Sequence, residues 1–154
     1  MPTMLERAIA DGSLNAEIIR PGVPTPTVPA AAAALGVDES SILKSLLFLD
    51  PGGVAVLAIA TGSSRVDRVR LAAVAGVERL KLAPPEEVKR RTGYPVGGAA
   101  PVCHATPLRV IVDRRLLALD IVYGGGGTAD SLLKITPREI VRVTSATVAE
   151  IVEE

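Results

Sequence analysis

The chain has 154 residues, 48% of them apolar, enough for one real core and too few for two ordinary domains. Seventeen acidic and seventeen basic residues cancel, so no global field draws the protein onto a nucleic acid or an anionic membrane, and a polyanion must be met locally. Three aromatic residues (Phe48, Tyr94, Tyr123) are too few for a base-stacking platform, one cysteine excludes an internal disulfide, and without a long apolar run or a charged-then-apolar leader we expect a cytoplasmic protein with no membrane partner.

In chain order, Thr3 with Glu6 three positions later fits a capping box and predicts a helix over Met4 to Asp11. "TVPAAAAALG" predicts a second helix, stopped by Gly36. "SILKSLLFLD" and "VAVLAIATG" are apolar runs joined by "DPGG", the pattern of a hairpin. Ser64 and Asp67 are expected to open a third helix with Val66, Val69, Ala73 and Val74 on one face and Gly76 at its end. "APPEEVKRRTG" has prolines and glutamates in its first turn and Lys89, Arg90 and Arg91 in its last, matching the helix dipole at both ends. "LRVIVD", "LALDIVY" and "SLLKI" are predicted strands, Thr136 to Glu139 caps a last short helix, and "SATVAEIVEE" is expected to finish as a strand. The sum is an α/β fold, a single domain over residues 1–154 with a mixed sheet of about six or seven strands flanked by short helices.

The most unusual stretch is "TGYPVGGAAPVCHATP", where the chain's one cysteine and one histidine sit beside its backbone-bending residues. Cys103 and His104 are sequence neighbours, and in an extended segment their side chains diverge, which argues against a nucleophile–base pair. One histidine and one cysteine also match no metal-ligand spacing, so no metal is expected. Gly97 to Pro101 lacks large side chains, so a ligand can approach the main chain there and consecutive N–H groups can converge on an oxygen. Gly124 to Gly127 could do the same after "LALDIVY". Neither cluster fits a dinucleotide fingerprint or a phosphate loop of the nucleoside triphosphatases, and each is also compatible with a plain tight connection. Lys44, on a strand, would share its face with Ile42, Leu46 and Phe48, where an ammonium is costly unless it reaches water or an anion. Ser63, Ser64, Arg65 and Arg68 offer a phosphate rim or merely a solvated helix start.

The succession "AAALGV", "ILKSLLF", "VAVLAIATG", "RVDRVRLAAVAG", "LKLAPPEEVKRRTGYPVGGAAPVCH" and "IVDRRLL", with a late glycine turn, resembles the YbaK family of aminoacyl-tRNA deacylases and the editing domain inserted in bacterial prolyl-tRNA synthetases. The likeness runs from about Thr25 to the C-terminus, and its most specific parts are Lys44 and the G-x-x-x-P loop, Gly97 to Pro101. "PVCH" stands where the family has Pro-Phe-Gly-His, so Val102 and Cys103 depart from the pattern and His104 keeps it. The resemblance implies a partly barrel-like sheet and hydrolysis of the ester in a mischarged tRNA, with tRNA(Pro) carrying cysteine, alanine or another small amino acid as the expected substrate. No cofactor is implied. The expected partners are the acceptor end of an aminoacyl-tRNA and prolyl-tRNA synthetase acting in trans. Lys44, Gly97 and Gly98 are the implied catalytic residues, with Ala99, Ala100, Pro101, His104, Gly125, Gly126, Gly127 and Ser63 around the substrate. A non-catalytic module binding an aminoacyl adenosine would share these features without turnover.

Overall fold

The computed structural model describes residues 3–153. Local chemistry starts its first element as expected: Thr3 Oγ1 accepts from Glu6 N–H at 3.1 Å, and α1 runs Met4–Ala10. There follow β1 (Ala16–Ile19), α2 (Val28–Leu35), β2 (Leu43–Leu49), β3 (Ala55–Thr61), α3 (Arg68–Ala75), β4 (Lys81–Leu82) and α4 (Pro85–Thr92). The second half adds β5 (Arg109–Asp113), β6 (Val122–Gly125), β7 (Leu132–Ile135), α5 (Pro137–Thr144) and β8 (Thr147–Ala149).

Eight short strands thus form two sheets rather than one sheet of six or seven. The larger has the order β4-β2-β3-β5-β8, with β3–β5 and β5–β8 parallel and the remaining pairs antiparallel. The smaller is β1-β7-β6, all antiparallel. An isolated bridge between Ile42 and Tyr123 joins the start of β2 to β6, so one sheet wraps toward the other in a partly barrel-like manner.

β3 lies at the centre and all seven of its residues are buried. Its alternation divides the core: Ala55, Leu57 and Ile59 join Leu43, Leu47, Val110, Val112 and Leu133 on one side. Val56, Ala58 and Ala60 meet Leu71, Ala72 and Ala75 of α3 on the other. Each fully buried leucine or isoleucine contributes about 1.5–3 kcal/mol from water exclusion.

Two local expectations need correction. Asp67, not Ser64, caps α3: its Oδ1 accepts from Val69 and Arg70 N–H at 2.9 and 3.2 Å, whereas Ser64 Oγ hydrogen-bonds Thr61. The helix therefore starts later, buries Leu71, Ala72 and Ala75, and leaves Val69 80% exposed. "LALDIVY" is a strand only from Val122, because Asp113 caps a 3-10 turn over Arg114–Ala118 that takes up its first residues.

Candidate active site

A cavity of about 380 Å³ opens where the two sheets meet, within the roughly 300–1,000 Å³ range of small-molecule sites. Its walls are the start of α2 (Thr25 to Val28, Ala31), the outer edge of β2 (Ile42 to Leu47), the passage from β4 to α4 (Leu82, Ala83, Pro85, Val88), the loop at Val96, Gly97 and Ala99, and Gly124, Gly125 and Leu132. The lining is aliphatic and contains no acidic residue; its polar side chains are Thr25, Thr27, Lys44 and Ser45.

The position of β2 explains why Lys44 reaches this cavity. Gly62 N–H donates to Ile42 O, and Ala83 N–H donates to Leu47 O from the opposite side. Even-numbered residues of β2 therefore pair with β3, and odd-numbered ones turn their main-chain groups outward. Lys44 rises on the face of Leu46 and Phe48, while Ile42 packs instead with Ala31, Ala32 and Leu132. Burial lowers the Lys44 pKa from the ordinary lysine value, and the positive charge of Arg65 lowers it further. Among the described residues no carboxylate lies in ion-pair range of Lys44; Arg65 itself pairs with Glu153 at 3.1 Å. Arg68 completes a basic margin on this side, its guanidinium 5.8 Å from the Phe48 ring centroid.

The loop after α4 is fixed from behind. Tyr94 Oη donates to Val102 O at 2.9 Å and Cys103 O at 2.7 Å, and His104 Nε2 lies 3.0 Å from Ala100 O, with the imidazole edge-on to Tyr94. Because a carbonyl only accepts, Nε2 carries the proton in that contact. Burial lowers the His104 pKa, the Ala100 contact opposing it, so His104 supports the loop and does not line the cavity.

Of the residues expected around the substrate, Lys44, Gly97, Ala99 and Gly125 meet at the cavity, joined by Gly124. Gly98 is buried and its N–H already donates to Pro95 O at 3.0 Å, which corrects its expected role as an amide donor and leaves Gly97 and Ala99 nearest the cavity. Ala100 and Pro101 are buried behind the wall, and Ser63 is exposed on the turn after β3, away from the lining. Gly126 and Gly127 also stand off: Gly127 N–H donates to Gly98 O at 2.9 Å, and Gly126 N–H to Ser131 O at 3.1 Å. A Cβ on Gly125 would sit 2.8 Å from the Ala99 carbonyl carbon, and one on Gly124 3.0 Å from Pro101 Cδ. The two glycine clusters are thus one packed unit, the second making room for the first.

Among the described residues no hydrogen bond joins the Cys103 and His104 side chains. The Cys103 backbone is left-handed (φ 59°) rather than extended, and burial and the nearby Asp11 charge raise its thiol pKa, keeping it protonated. Among the described residues, no three His, Cys, Asp or Glu side chains gather as a metal site. No helix there is long and apolar enough to cross a membrane.

Comparison with known proteins now decides the family. A profile described as the aminoacyl-tRNA editing domain matches residues 23–143. The chain belongs to this family. The Bacillus subtilis (strain 168) protein YwhH is 32% identical over 114 residues, 74% of this chain and 72% of YwhH. The proline–tRNA ligase of Nitratidesulfovibrio vulgaris (strain Hildenborough) is 39% identical over 115 residues, 73% of this chain but only 20% of the ligase. This editing domain is also similar to two solved structures. One, the hypothetical protein APE2540, has a TM-score of 0.91 and 40% identity, covering 98% of this chain and 100% of that one. The other, a putative trans-editing enzyme for prolyl-tRNA synthetase, has a TM-score of 0.87 and 33% identity, covering 100% and 99%.

Sequence reasoning had overlooked Thr25, Ser45, Leu82, Ala83 and Val88 as parts of the cavity wall. Alternation along β2 could have placed Ser45 on the face opposite Lys44. It could not have shown that β4 would be too short to cover it.

Proposed function

We propose that this editing domain hydrolyses the ester linking a wrongly attached small amino acid to the terminal adenosine of tRNA(Pro), acting in trans beside prolyl-tRNA synthetase. The observation that carries the proposal is Lys44, an ammonium with no acidic partner among the described residues, on the wall of an aliphatic cavity opposite a glycine loop. An ammonium so placed calls for an anion, and a terminal nucleotide supplies one in its phosphate. Gly97 and Ala99 line the cavity, and in this reading their main-chain N–H groups polarise the ester carbonyl, stabilising the oxyanion as water adds. The ester C–O bond then breaks, the amino acid leaves with the oxygen of water, and the ribose hydroxyl regains its proton.

The lining offers neither carboxylate nor imidazole to serve as base, so we assign orientation of the water to the substrate's own hydroxyl and amino groups. Small aliphatic walls favour small amino acids, and the share of chain common with a proline–tRNA ligase supports tRNA(Pro) as carrier. The test uses chelator-treated protein with tRNA(Pro) charged separately with proline, alanine, cysteine and serine. Release of one small non-cognate amino acid, with prolyl-tRNA spared, supports the proposal. Binding of the charged tRNAs without release would make the chain a recognition module instead.

A further inference from the structure

The outer edge of β2 is covered at both ends and open in between. β4 pairs with Phe48 and Leu49, and Ala83 extends that cover to Leu47 O, while β6 meets the strand at Ile42. Ser45 lies in the gap, and the alternation set by the Gly62–Ile42 and Ala83–Leu47 bonds turns both its N–H and its C=O outward, into the cavity that Ser45 lines. An outward N–H and C=O on one residue form the recognition unit of an antiparallel strand, which a partner residue satisfies by exchanging two hydrogen bonds. An unpaired edge of this kind is ordinarily covered or blunted. Here it faces an aliphatic space.

We infer that the Ser45 main chain receives the aminoacyl group as though it were a single residue of an added strand: Ser45 C=O accepts from the substrate's α-amino group, and Ser45 N–H donates to the ester carbonyl. This deepens the deacylase proposal and rests on it. The fit is chemical. The lining holds no carboxylate for the α-amino group, so a main-chain carbonyl is the acceptor on offer. A neutral amine suits it better than an ammonium, because Lys44 is one residue away and its charge is already disfavoured. Residues paired directly across an antiparallel ladder point their side chains to the same face. The substrate side chain therefore falls on the face of Leu43, Ser45 and Leu47, toward Ala83, Val88 and Ala99, and away from Lys44. The same register gives the carbonyl oxygen a donor in addition to the loop amides.

The experiment uses the whole chain, labelled with 15N, and a non-hydrolysable amide probe, 3′-alanylamino-3′-deoxyadenosine, against its 3′-propionylamino counterpart, which lacks the amine. At saturation the alanyl probe is expected to slow hydrogen exchange of the Ser45 amide at least tenfold. The propionyl probe is expected to bind about tenfold more weakly, the size of one lost hydrogen bond. Replacing the Ser45 peptide N–H by an ester oxygen is expected to weaken binding of the alanyl probe about tenfold, with a small loss of stability because the same change makes the Lys44 carbonyl, paired with Ala60 of β3, a poorer acceptor. Unchanged Ser45 exchange at saturation, equal affinity for the two probes, or no binding of either overturns the inference. Charged tRNA separates it from the deacylase proposal: a protein that binds the probe through Ser45 yet leaves every charged tRNA intact contradicts only the latter.

Discussion

Lys44 is held in a state that a bound anion relieves. Burial and the Arg65 charge both lower its pKa from the ordinary 10.5. The sign follows directly: below the native pKa the charged side chain carries a constant stability penalty, which fades as the pH rises through that value toward 10.5. Lys44 should therefore titrate below the other lysines when followed by NMR at its side-chain carbon, and adenosine monophosphate should move its midpoint upward. A midpoint at the ordinary value, unmoved by the nucleotide, would remove its role as the anion contact. Cys103 is a second residue whose setting makes a prediction. Its left-handed backbone costs a non-glycine residue of order 1 kcal/mol. Cys103→Gly should keep stability within about 1 kcal/mol and activity within a few-fold, while Cys103→Val should lose stability, because a β-branched side chain fits that conformation poorly. Thermal unfolding and deacylation rates of the two variants check this, and inactive but folded Cys103→Gly protein would restore the thiol as a nucleophile.

At the scale of elements, the decisive object is the loop from Tyr94 to His104 and the strand that backs it. Gly125 belongs to β6, and a Cβ there would sit 2.8 Å from Ala99 C and 2.9 Å from Gly98 C, both backbone atoms. Gly125→Ala should push the loop away from the cavity. A displacement near 1 Å commonly costs about 100-fold in rate, so single-turnover hydrolysis should fall by that order with only a modest drop in unfolding temperature. Full activity in a folded Gly125→Ala protein would mean the loop does not need its observed position. The sequence made the existence of this loop plain, since Gly97 to Pro101 matched a known pattern, but not its division of labour. Gly126 and Gly127 looked like a second ligand cradle because glycine reads the same whether it approaches a substrate or another backbone. The face of α3 was misread for a related reason: Ser64 and Asp67 are equally good caps in isolation, and the side-chain bond from Ser64 to Thr61 that decides between them is set by the turn after β3.

For the molecule as a whole, the two ends of the chain are tied through Glu139. Its carboxylate accepts from Arg142 at 2.7 Å and from Asn15 N–H at 2.7 Å, and Arg142 also reaches Ser13 O at 3.0 Å. Hydrogen bonding from Arg142, then from Asn15, holds the carboxyl below the usual 4.5 against the opposing effect of burial. A lowered native pKa gives stability that is complete above 4.5 and lost as the pH falls through the native value. Glu139→Gln should cost about 1.5–3 kcal/mol near neutrality, as expected for hydrogen bonds to a charged group, and should flatten the acid dependence in that window. Denaturant unfolding at pH 7 and pH 4 checks both. Mixed α/β architecture, the hairpin of β2 and β3, and the family were all legible from residue patterns. The division into two sheets was not, because β1 and β4 are too short to announce themselves and their pairing is fixed by distant partners. The Ser45 edge follows from that division, so it was equally hidden.

The central claim is that a half-buried ammonium, with no acidic partner among the described residues, and a main-chain cradle hydrolyse an aminoacyl ester without a protein nucleophile. The most direct measurement is the single-turnover release of a small non-cognate amino acid from tRNA(Pro) by the parent, Lys44→Ala and Cys103→Ser proteins, each with chelator and each confirmed folded. The account predicts rapid release by the parent, a rate for Cys103→Ser within a few-fold of it, and a loss of about 100-fold or more for Lys44→Ala, the order seen when one transition-state contact is removed. Release by Lys44→Ala at the parent rate, or its abolition in folded Cys103→Ser, would contradict it.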